Sequence, residues 1–158
     1  MGKGIMQNQN GNINNRTNDE FFHDALTNTD EDIAWLAISE LQHRGSSDIF
    51  EHACKLSTSS AAKERRVGAD LLGQLGTPNP TFHEEALTIL LRMLEQEQEP
   101  DVLKSIAIAL GHRHDPRAIE PLIRLKKHPD EGVREGVVFG LTGYEDELAI
   151  QTLIELSK

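Results

Sequence analysis

Two short stretches of the sequence hold residue types that could do chemistry. His83 and Glu84 form its one His-Glu dipeptide, and His112, Arg113, His114 and Asp115 bring two imidazoles and a carboxylate together in a row. Imidazole and carboxylate are ordinary ligands for zinc and similar ions. Two histidines separated by one residue fall within a turn, and spacing identifies no further ligand, so neither a metal site nor a cofactor is expected. His43-Arg44 and His112-Arg113 suggest another role. Each pair follows a leucine that closes an apolar run, Leu41 or Leu110. Cations at that place complement the partial negative charge of a helix C-terminus. Side by side, His43, Arg44, His112 and Arg113 would also form a ridge able to contact a carboxylate-bearing partner. Nucleophilic triads, phosphate-cradling glycine loops and paired redox cysteines have no counterpart in the chain. Its single cysteine, Cys54, falls in register with apolar residues and reads as a small core hydrophobe.

The elements that must position these residues repeat. Leu41, Leu72, Leu110 and Leu141 each close an apolar segment, at separations of 31, 38 and 31 residues. A second apolar segment follows in common register: DIFEHACKL from Asp48, RAIEPLIRL from Arg117 and LAIQTLIEL from Leu148. Aligned, these place Phe50, Ile119 and Ile150 at one position. Ala53, Leu122 and Leu153 share the next, then Cys54, Ile123 and Ile154, then Leu56, Leu125 and Leu156. The offsets i, i+3, i+4 and i+6 describe one stripe of an amphipathic helix. Each repeat is therefore expected to be a helix pair that hides its apolar side only by stacking on its neighbours.

Turn chemistry agrees with this reading. Asp101 and Asp130 each follow a proline and are suited to cap a helix. Gly45, Gly76, Gly111 and Gly143 lie where left-handed helix ends are expected. Pro121 falls early in its helix, where a missing N–H costs least. The second repeat is longer by seven residues, which predicts an extended turn and a longer second helix. No alternating run of β-branched residues signals a strand. Asp19 to Leu26 predicts a lone helix capping the stack at its N-terminal end, with Trp35 packed between that helix and the first repeat.

Composition sets the class. The 158 residues amount to about one domain. Residues 1–18, rich in Asn, Gln and Gly, are expected to be a flexible tail, and residues 19–158 the folded domain. Gly2 suggests a myristoylation signal, but Met6 stands where that signal wants Ser or Thr. With 26 acidic and 16 basic side chains the net charge is -10, which opposes binding to a phosphate backbone. Acidity concentrates between Asp19 and Ser60. The longest apolar run, Ile106 to Leu110, is far too short to span a bilayer. With no signal core either, the cytoplasm is the expected compartment.

The letters of the repeats then resemble a family. VLKSIAIALGHRHDPRAIEPLIRL from Val102, VREGVVFGLTGYEDELAIQTLIEL from Val133 and ERRVGADLLGQLG from Glu64 resemble HEAT repeats. The likeness is to the short bacterial kind related to phycobilin lyase subunits. It covers residues 30–158 and implies an all-α superhelix of about four helix pairs with an N-terminal capping helix. Two enzymatic members of the wider group can be tested by residue. The di-iron deoxyhypusine hydroxylases carry His-Glu pairs at repeat positions that here hold Trp35-Leu36, Arg66-Val67, Lys104-Ser105 and Glu135-Gly136. HEAT-like DNA glycosylases need a basic, aromatic groove, whereas Trp35 lies in the most acidic segment.

The resemblance implies a protein-binding surface rather than catalysis, since function belongs to sites and not to folds. Second helices of such solenoids generally line the concave side. Glu51, His52, Lys55, Glu120, Arg124, Lys127, Gln151 and Glu155 are the expected contact residues, with the His/Arg ridge beside them. The expected activity is a non-enzymatic module presenting an acid-rich concave face to a protein ligand. Its alternatives are an immunity protein neutralising a basic toxin such as a nuclease, or an accessory subunit for bilin attachment. The last helix predicts a monomer or a weak end-to-end oligomer.

Overall fold

A computed structural model describes residues 15–158, and the expectations that fall on residues 1–14 lie outside that range. The described chain is all helical. Its elements are α1 (Asn18–Thr27), α2 (Glu31–Arg44), α3 (Ser47–Ser57), α4 (Ala62–Gln74), α5 (His83–Gln96), α6 (Pro100–Arg113), a 3₁₀ turn (Pro116–Ala118), α7 (Ile119–Ile123), α8 (Glu131–Leu141) and α9 (Glu147–Leu156). Helices α2/α3, α4/α5, α6/α7 and α8/α9 are the four expected pairs, and α1 is the capping helix. Even-numbered helices pack side by side in one layer, and odd-numbered helices form a second layer against them.

The repeat beat set by the four leucines is the beat of the packing. Leu41, Leu72, Leu110 and Leu141 are all 0% exposed, each at the same place in its even-numbered helix. Small residues let those helices approach. A Cβ on Gly73 would stand 2.7 Å from the Cα of Ala109, and one on Gly140 would stand 2.8 Å from the Ala107 carbonyl oxygen. Polar links join successive repeats: Lys104 Nζ donates to Glu135 Oε2 at 2.9 Å, and Lys126 Nζ to Glu155 Oε2 at 2.7 Å.

Several helix ends behave as their residues require, and some do not. Asp130 and Asp146 cap α8 and α9 by accepting from Val133 and Ala149 N–H. Asp101 does not cap. Helix α6 starts at Pro100 with Glu99 before it, so Asp101 sits in the first turn, where a carboxylate still favours the helix dipole. Gly45, Gly76 and Gly143 adopt positive φ as expected. Gly111 instead lies within α6, because a Cβ there would come 2.9 Å from the Cα of Gly140. His114 takes the left-handed position in its place.

The first described residues reach into the stretch expected to be a tail. Thr17 and Glu20 form a reciprocal capping box on α1, and Arg16 pairs with Asp24 at 2.7 Å. Trp35 is 55% exposed rather than packed away, while α1 buries Phe21, Phe22 and Ala25. In α9 the buried residues are Ala149 and Thr152, while Ile150 and Ile154 of the expected stripe are exposed. Cys54 is half-buried, not fully enclosed, and burial pushes its thiol up.

Candidate protein-binding surface

Helix register decides where the expected contact residues stand. On α3, Ile49, Ala53 and Leu56 point to the core, which turns Glu51 and Lys55 to solvent. On α7, Ile119 and Leu122 are buried, so Glu120 and Arg124 are exposed and pair with each other at 3.1 Å. On α9, Gln151 and Glu155 are exposed, with Glu155 held by Lys126. That contact keeps the Glu155 carboxyl below the usual carboxylate range. His52 is half-buried and stacks on Phe22 of the capping helix, with ring centres 3.8 Å apart. Lys127 is exposed just after α7. Among the described residues, Glu51, Lys55, Lys127 and Gln151 make no hydrogen bond or ion pair through their side chains.

The fold aligns these residues in rows. Lys55 and Arg124 occupy one register position, and the structure adds Arg92 of α5, exposed, between them. Glu51, Thr88, Glu120 and Gln151 form a neighbouring row one turn earlier. Arg92 escapes the sequence reading because the longer second repeat breaks the spacing. Aligning EALTILLRM from Glu85 with RAIEPLIRL from Arg117 recovers it, since Ala86, Leu87, Leu90 and Met93 are all buried.

The His/Arg ridge does not form. Arg113 is 5% exposed, its Nε donating to the Leu72 carbonyl at 2.8 Å and its NH1 to the Thr81 carbonyl at 2.9 Å. It is a strut between repeats, withdrawn from any partner. Arg44 is likewise engaged internally: it donates to Glu40, to the Arg16 carbonyl and to Asn18, and lies over the Phe21 ring. His43 is exposed and bonded to the Ser39 carbonyl, while His112 accepts from Gln74 and tilts against Phe139. Burial pushes the His112 imidazole down, toward the neutral form.

The two stretches with chemistry-bearing residues do meet. His83, Glu84 and Asp115 bring ligand atoms within 4.8 Å of one another. Arg117 occupies the centre of that group, donating to both Glu84 oxygens at 2.7 and 3.0 Å and to both Asp115 oxygens at 2.8 and 2.9 Å. His83 Nε2 lies 3.2 Å from Asp115. The guanidinium holds the Asp115 carboxyl well below the usual carboxylate range. A cation would have to displace this guanidinium, so the arrangement works as an ion-pair clasp between the second and third repeats.

Residues 87–158 match the family model for HEAT repeats. No curated protein matches the chain. Among the described residues, no helix is long and apolar enough to cross a membrane.

Proposed function

We infer a function from the premise that this chain is a HEAT-repeat protein: it is a non-enzymatic interaction module that binds a protein ligand across its odd-numbered helices, the side expected to be concave. HEAT repeats generally mediate protein–protein interaction. The observation that carries the reading for this chain is the row Lys55, Arg92 and Arg124, one exposed cation in each of the first three repeats at a fixed register, which Glu155 continues with the opposite charge in the fourth. Carboxylates border the row at Glu51 and Glu120, within an odd-numbered layer that is acidic as a whole. Such alternation fixes the register of a partner carrying the inverse pattern more than it adds raw affinity.

The test is site-directed photocrosslinking in cells of the source organism. A photoreactive residue replacing Lys55 or Gln151 is expected to yield one defined protein adduct, and one replacing Lys104 on the even-numbered layer none. An adduct from position 104 alone would overturn the choice of face.

A further inference from the structure

We propose that the cavity between α1, α2 and α4 is a pocket for the C-terminal carboxylate of a bound polypeptide. This inference concerns a different surface from the odd-helix face and does not rest on it. The cavity encloses about 260 Å³, below the roughly 300–1,000 Å³ typical of small-molecule sites, so it suits one terminal group rather than a cofactor. Trp35, Asn28 and Glu31 line it together with Lys63, Arg66 and Asp70 of α4.

The enclosed polar atom without a partner in this cavity is a donor, while the exposed Glu31 carboxylate also lacks an ion-pair partner among the described residues. Arg66 Nε is enclosed by protein without an acceptor. Its terminal nitrogens are not enclosed, and none of the hydrogen bonds among the described residues uses them. Lys63 is exposed one turn away and has no ion-pair partner among the described residues. Asp70, by contrast, is already served by the Ser105 hydroxyl and by the nearby Arg66 charge. A guest that completes this arrangement must bring an acceptor, and a planar carboxylate matches the fork of a guanidinium. Glu31 and Asp70 offset Lys63 and Arg66, so directed hydrogen bonds rather than net charge hold the guest.

Trp35 is the chain's single tryptophan and stands at the cavity, so its emission reports occupancy directly. The full chain is titrated at constant ionic strength with N-acetylglycine, with N-acetylglycinamide and with inorganic phosphate. The expected result is a saturable change with N-acetylglycine and none with the amide. Arg66→Gln weakens the binding at least tenfold, and Lys63→Gln, at an exposed site that cannot disturb folding, weakens it about threefold. An equal response to the amide, the absence of saturation, or unchanged affinity in Lys63→Gln would overturn the proposal. Tighter binding of phosphate than of N-acetylglycine would overturn the assignment to carboxylate.

Discussion

Arg113 Nε donates to the carbonyl oxygen of Leu72 at 2.8 Å from a site almost closed to solvent. That bond ties the end of α6 to the end of α4, and the NH1 bond to Thr81 pins the long second-repeat turn to the same guanidinium. Burial pushes the Arg113 pKa down, yet the group stays charged because arginine starts so high. Replacing Arg113 by methionine keeps the stem and leaves two carbonyls without donors. A loss of about 2–4 kcal/mol is expected in chemical denaturation. Arg124→Met, at an exposed ion pair, is expected to change stability by less than about 0.5 kcal/mol.

Helix approach sets a second prediction. Alanine ordinarily favours a helix over glycine by about 1 kcal/mol, but at Gly73 the new Cβ would meet the Cα and Cβ of Ala109 at 2.7 and 2.8 Å. The clash involves backbone and cannot be relieved by a rotamer change. Gly73→Ala is therefore expected to destabilise by about 1–3 kcal/mol despite its better propensity, as read from the urea midpoint.

Asp70 gives a pH dependence with a defined sign. Burial pushes its carboxyl up to about 6, with Ser105 and Arg66 opposing, against about 3.9 in an unfolded chain. The folded state thus holds a proton that the unfolded state releases, and this contribution falls as pH rises from about 4 to 6 and is level above. Asp70→Asn is expected to be more stable than the parent at pH 8 by up to about 3 kcal/mol, with the difference closing near pH 4. Denaturation midpoints of the two proteins at pH 4, 6 and 8 check it. A constant difference would contradict the account.

The Glu84–Arg117–Asp115 clasp is exposed at two of its three members, so it contributes little to stability and is screened by salt. Arg117→Gln is expected to lower stability by less than about 1 kcal/mol, with the difference shrinking further in 1 M salt. A loss several times larger would mean that this contact, rather than core packing, joins the second and third repeats.

The sequence carries the architecture because its signals are local and recur. Four leucines that close like segments, with matching second segments, require stacked helix pairs, and Asp130, Gly45 and Gly143 mark ends by chemistry confined to a turn. What escaped depends on neighbours distant in the chain. Gly111 looks like a terminator, but its contact with Gly140 requires a glycine inside the helix. Arg113 looks like a surface cation at a helix end, but the carbonyls of Leu72 and Thr81 draw it inward. Trp35 looks like core, but it stands at an open cavity where α1, α2 and α4 meet and stays 55% exposed. The exposed positions of Glu51, Lys55, Glu120, Arg124 and Gln151, the proposed contact residues, follow from register alone. Arg92 was hidden by the longer second repeat, and the Arg66 cavity forms only where three helices meet.

In the proposed function the odd-numbered face binds a protein through the cation row Lys55, Arg92 and Arg124. The most direct test is calorimetric titration of the photocrosslinked partner, prepared pure, against the parent chain and the triple variant K55E/R92E/R124E. The account predicts at least a hundredfold loss of affinity with an unchanged melting temperature. Undiminished affinity in a folded triple variant would contradict it.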